Sequence, residues 1–90
     1  MQCFIYKSLK KEELYLYVDK RDDFSAVPEV LLQNFGQLVF VMELRLSPER
    51  KLAREDVCKV ISSIQAKGFF VQMPPSTYSL LYATSSQLLH

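Results

Sequence analysis

A chain of 90 residues, 49% of them hydrophobic and 23% charged, has enough apolar matter for one core and too little for a second domain. Its net charge of +1 removes any general pull toward nucleic acid or a membrane surface. No apolar run approaches the ~20 residues that span a bilayer.

Cys3 and Cys58 stand far apart with no C-x-x-C spacing, the usage of two reduced, partly buried thiols in a cytosolic protein. Lys7, Lys10 and Lys11 bring charge before a signal peptide's apolar core can form, so the expected compartment is the cytoplasm. Charge is unevenly spread, because every Lys, Arg, Asp and Glu lies at or before Lys67.

Gln2–Lys7 and Leu14–Asp19 read as two strands. In the second, Leu14, Leu16 and Val18 point one way and Tyr15 and Tyr17 the other. In the first, Phe4 and Tyr6 share a face opposite Cys3 and Ile5. The short charged link Ser8–Glu13 predicts a hairpin without an Asn-Gly or Asp-Gly turn. Its register is open, and so is the question of whether the two sets of rings stand side by side.

A charged turn, Lys20–Asp23, leads to a helix from about Ser25 or Val27 to Phe35. Ser25 is the expected cap, Pro28 suits the first turn, and Glu29 favours the positive end of the dipole. Val27, Val30, Leu31 and Phe35 form its apolar stripe, and Gly36 ends it.

Leu38–Leu46 begins as an unbroken apolar run and then alternates with charge. That pattern predicts an inner strand covered on both faces, with the rest of the chain packed around it. After the Pro48 turn, a second helix is expected over about Arg54–Lys67, with Val57, Val60, Ile61 and Ile64 inward and Glu55 and Lys59 paired outside. Gly68 stops it. Phe69–Met73 is the last strand, closed by Pro74 and Pro75. A short helix over about Thr77–Ala83 is expected in the tail, residues 76–90.

The order is β-β-α-β-α-β-(α): a single α/β domain, residues 1–75 plus tail, with helices on both faces of a small mixed sheet. The strand–helix–strand unit from Leu38 to Met73 crosses over right-handed if its strands are parallel.

Three stretches resemble a known family: Cys3-Phe4-Ile5-Tyr6-Lys7-Ser8 with Tyr15-Leu16-Tyr17-Val18; Asp22-Asp23-Phe24-Ser25-Ala26-Val27-Pro28-Glu29 running on to Phe35-Gly36; and Lys67-Gly68-Phe69-Phe70-Val71-Gln72-Met73-Pro74-Pro75. Together they are similar to the YcgL-domain proteins, small cytosolic proteins of gammaproteobacteria. The resemblance implies a compact α/β domain and brings no activity, cofactor or catalytic residue to transfer. The tail departs from it, since family members carry more charge after the prolines.

The residues themselves point away from common chemistry. Gly36 and Gly68 each follow a helix, whereas a phosphate cradle needs glycines ahead of one. The sole histidine is His90, so the serines lack a base and Cys3 and Cys58 lack a zinc partner at ligand spacing. No catalytic, metal or cofactor residue is assigned.

The expected function is a non-enzymatic binding or adaptor module with a protein partner. The candidate surface is Tyr6, Tyr15, Tyr17, Lys20, Arg21, Asp22, Asp23, Arg50, Lys51, Pro74 and Pro75. RNA is the alternative partner: Phe4, Tyr6, Tyr15 and Tyr17 on one face with a basic rim would stack bases. An enzyme using a hard cation at Asp22, Asp23 and Glu29 comes third. The uncharged tail, with Tyr78, Leu81, Tyr82, Leu88 and Leu89, either packs on its own sheet or offers an apolar surface to another chain.

Overall fold

The computed structural model describes residues 1–52 and 55–74. The expected tail helix and Pro75 lie outside that range. Four strands and two helices follow in the order β1 (Gln2–Ser8), β2 (Tyr15–Val18), α1 (Glu29–Phe35), β3 (Leu38–Arg45), α2 (Val57–Lys67) and β4 (Phe69–Gln72). The sheet runs β3-β1-β2-β4.

Every described pairing is antiparallel, so the expected mixed sheet is corrected. The last two strands do not form a parallel crossover unit. They lie on opposite edges, with the hairpin between them. Its loop runs tight, with Glu13 at φ 59° in place of the glycine such a turn favours. The α/β single domain with a helix on each face is what forms.

Alternation along the hairpin creates the two faces. Tyr6, Leu16 and Val18 point to one side and pack with Val27 and Phe35 of the α1 region. Cys3, Ile5 and Tyr17 point to the other and pack with Val57, Val60 and Ile64 of α2. The desolvated ribbon of this domain is therefore the β1–β2 hairpin, not Leu38–Leu46.

The strand β3 is an edge strand, and Val41 and Met42 are 42% and 46% exposed. Its apolar run has another cause. Ile5 stands opposite Met42 and Tyr6 opposite Phe40, which leaves Val41 as an extra residue in a bulge. The bulge shifts the alternation by one. Leu38 and Phe40 join the α1 side, and Leu44 joins the α2 side. Five consecutive apolar residues thus serve two faces in turn, rather than one strand buried on both.

The helix α1 is shorter than expected. It starts after Pro28 with no side-chain cap, because Ser25 instead bonds to Asp23: its backbone N–H and its hydroxyl both donate to Asp23 Oδ1, at 3.0 and 2.6 Å. Val30, assigned to the buried stripe, is 69% exposed; Phe35 is the one fully buried residue of the helix. Leu31 and Leu32 are half-buried.

The helix α2 starts three residues later than expected, because Asp56 caps it by accepting from Cys58 N–H at 2.9 Å. Glu55 therefore precedes the helix and does not form the expected i, i+4 pair within it. Val57, Val60 and Ile64 are buried and Ile61 half-buried, as the periodicity predicts. Gly68 ends α2 in the left-handed conformation, and a Cβ there would lie 2.6 Å from that of Ala26. Only glycine lets the chain turn so close to the segment that enters α1.

Candidate docking groove

The α2 face is covered unevenly. The helix lies over β1, β2 and β4 and leaves the β3 side open. There, a groove of about 390 Å3 is lined by Ile5, Tyr17, Met42, Leu44 and Leu52, with Tyr15, Arg50 and Lys51 also on its walls. Alternation explains the floor: Ile5 and Tyr17 are cross-strand partners on the α2 side, and Met42 joins them through the Val41 bulge. The turn after β3 supplies the cations. Arg50 N–H donates to Ser47 C=O at 3.0 Å, and its guanidinium reaches the Arg45 carbonyl at 3.4 Å, so the turn folds back beside the strand. Glu55 adds one carboxylate. The result is an apolar channel with a mainly basic wall.

Tyr17 braces the opposite wall. Its hydroxyl donates to Gln72 Oε1 at 2.5 Å, and its ring meets Phe70 edge-on at 5.6 Å. Cys3 lies beneath the same face, fully buried. Burial pushes its thiol up to about 11, with Arg50 and the N-terminal amine pulling weakly the other way. At neutral pH it is an uncharged thiol and a poor nucleophile. Cys58, expected to be partly buried, is exposed, and both thiols are free.

The remaining candidate residues sit elsewhere. Tyr6 faces α1, where its hydroxyl donates to Asp22 Oδ1 at 3.0 Å and accepts from Asp22 N–H at 2.6 Å. Burial is the main cause that raises the Tyr6 phenol above its ordinary range. The Tyr6 ring packs edge-on against Phe24 and Phe40, and Arg21 lies 4.3 Å above the Phe40 ring. Asp22 holds φ 59°, a conformation that costs a side chain about 1–2 kcal/mol, and the paired bonds to Tyr6 offset it. The carboxyl of Asp23 is lowered by its bonds from Ser25 and by nearby Lys20. These groups brace a turn, and among the described residues no three acidic, His or Cys side chains gather as a metal site would need. Pro74 borders a separate cleft on the α1 face.

The four rings of the RNA alternative are divided by the register. Phe4 and Tyr6 pair with Val18 and Leu16 on the α1 side, while Tyr15 and Tyr17 pair with Lys7 and Ile5 on the α2 side. No common stacking platform exists among them.

Sequence reasoning missed Ser8. Its buried hydroxyl donates to the Phe35 carbonyl and accepts from Lys10 N–H at 3.1 Å and Lys11 N–H at 3.0 Å. One side chain ties the end of β1, the hairpin loop and the end of α1. The signal was present: Ser8 continues the inward series Phe4, Tyr6, and a small polar group at an inward position needs polar partners. Met42 and Leu52 were missed because no periodicity announces a bulge or a loop residue.

With this geometry in place, comparison with known proteins adds identity. The YcgL domain family model matches residues 3–75. A YcgL domain-containing protein of Pseudomonas aeruginosa is 51% identical over 87 residues, covering 97% of this chain and 90% of its own length. One from Photorhabdus laumondii is 48% identical over 88 residues, covering 98% of each chain, and one from Proteus mirabilis is 44% identical over 88 residues, covering 98% and 91%. At that similarity across a shared architecture, the chain belongs to the YcgL-domain family.

Proposed function

We propose that this protein is a non-enzymatic binding module of the cytoplasm, and that a protein partner docks in the groove between β3 and the turn after it. The observation that supports this is the exposure of Met42 on an apolar floor beside Arg50 and Lys51. An apolar side chain left at 46% exposure beside cations suits a segment that carries both apolar and acidic residues. The cytoplasmic assignment rests on the two unpaired thiols, Cys3 and Cys58. Among the described residues no helix is long and apolar enough to cross a membrane.

The test compares wild type with Met42→Asp and with Arg50→Glu. Both positions are exposed, so the fold should survive, which circular dichroism checks. Affinity capture from a cytoplasmic extract should retain a defined protein on wild type and lose it on both variants, with the purified protein then rebinding directly. Equal retention by all three proteins overturns the reading. Retention of single-stranded RNA at low salt, lost in Tyr15→Ala, would replace it with the RNA alternative, since phosphate contacts are strongest there. Substrate turnover abolished by Asp22→Ala or Asp23→Ala would replace it with an enzyme.

A further inference from the structure

The outer side of β3 is a second surface with bonding groups to offer. Among the described residues no strand pairs with it, since the sheet order places β3 at one end. Val41 divides this edge. Beyond the bulge, Met42–Arg45 keep an unbroken register against β1, with Phe4 opposite Glu43, Cys3 opposite Leu44 and Gln2 opposite Arg45.

The aim of each backbone group on this stretch follows from one fixed point. Leu46 N–H donates to Met1 C=O at 2.6 Å, and the N-terminal amine donates to Leu46 C=O at 2.9 Å, so both groups of Leu46 face β1. Backbone groups alternate along an antiparallel strand. Those of Leu44 therefore face β1 as well, and those of Glu43 and Arg45 face outward. The Arg45 carbonyl accordingly accepts from outside the sheet, from the Arg50 guanidinium at 3.4 Å, a long and weak bond. The side chains alternate too. Leu44 is half-buried on the α2 side, while Glu43 and Arg45 are exposed on the other. Gln2 Nε2 donates to Glu43 Oε1 at 2.8 Å, and among the described residues neither charge has an ion-pair partner.

We propose that this half of the β3 edge pairs antiparallel with the same stretch of a second copy of the chain, about a two-fold axis between the two Leu44 residues. Charge selects that register. Centring the axis on Leu44 sets Glu43 of each copy opposite Arg45 of the other. These are the residues whose backbone groups face outward, so each pair exchanges two N–H to C=O bonds and sets a carboxylate beside a guanidinium. The Arg45 carbonyl gives up its long Arg50 contact for the Glu43 N–H of the second copy. On the α2 side the two Leu44 side chains meet as a non-hydrogen-bonded pair, the kind in which side chains come closest. Moving the axis to Glu43 or to Arg45 instead sets like charges opposite each other, which destabilises the pairing. The contact is closed at two copies, because each uses the same patch of the other. It is measured on the purified chain alone and stands or falls independently of the function proposed above.

The test is sedimentation equilibrium. Wild type, followed up to about 1 mM, should show a reversible monomer–dimer equilibrium. Glu43→Arg and Arg45→Glu should each weaken the dimer at least about tenfold, since each sets like charges across the axis. An equimolar mixture of the two variants should recover association as a heterodimer, because every charge then faces its opposite. Glu43→Arg/Arg45→Glu, with both charges exchanged in one chain, should recover the homodimer. Both positions are exposed, and circular dichroism checks the fold; should either single variant fail to fold, the double exchange decides. The proposal is overturned by a wild type that stays monomeric throughout, by a dimer that both single variants leave unchanged, or by failure of the double exchange to associate.

Discussion

The two faces of one sheet are closed by different means. On the α2 face, an 11-residue helix brings its own cap, its own stop and three buried side chains. Packing holds it, helped by the Ser63 hydroxyl, which donates to the Phe69 carbonyl of β4 at 2.8 Å. On the α1 face, a 7-residue helix has no side-chain cap and one fully buried residue. Polar ties from the sheet hold that side instead: Ser8 to the Phe35 carbonyl, and Tyr6 to Asp22. A helix too short to be stable by itself is anchored by groups that the strand supplies. The longer helix has three buried side chains beside its own tie to β4, and it leaves the β3 side of its face open as a groove.

The largest expected effect would break this contrast at its anchors. Phe35→Ala should cost about 3–5 kcal/mol, because α1 has no second buried residue to share the load. Ile64→Ala should fall near the lower end of its range, about 2–3 kcal/mol, since Val57 and Val60 remain. Urea unfolding of both variants checks the order; equal losses would mean that the two helices are held alike.

A smaller effect sharpens it. Ser8→Ala removes one donor and one twofold acceptor from a buried site, and should cost about 1–3 kcal/mol. Amide exchange should quicken at Lys10, Lys11 and Gly36 and stay unchanged through α2. A uniform rise across both helices would show Ser8 to be ordinary core.

The smallest effect is acidic. The folded-state pKa of Asp23 is lowered, chiefly by the Ser25 bonds. Its contribution is therefore present above the ordinary carboxylate value near 4 and is lost as pH falls through the lowered one. Asp23→Asn should melt slightly below wild type at pH 7, and the gap should close as the pH falls through the carboxylate range. A difference that grows toward acid would reverse the sign.

Much of this architecture was legible in the residues. The alternation of Leu14, Leu16 and Val18 against Tyr15 and Tyr17 gave both faces, and the spacing of Val57, Val60 and Ile64 gave the inner side of α2. Gly68 marked the end of α2. What escaped detection was non-local. Whether Tyr6 neighbours Tyr15 depends on cross-strand register, which no stretch of either strand encodes alone. The place of Leu38–Arg45 at the edge depends on the bulge at Val41, and a bulged strand shows the same apolar run as a strand buried on both sides. The groove went unseen for that reason, because the strand bordering it was expected at the centre.

That extra residue also governs how safely the domain carries an open border. An eight-residue, largely apolar outer strand is a natural template for runaway strand stacking between chains. Val41 interrupts the template at mid-length, so that on either side only a short regular stretch remains. The irregularity that shifts Met42 onto the groove side thus also works as a safeguard against fibre formation.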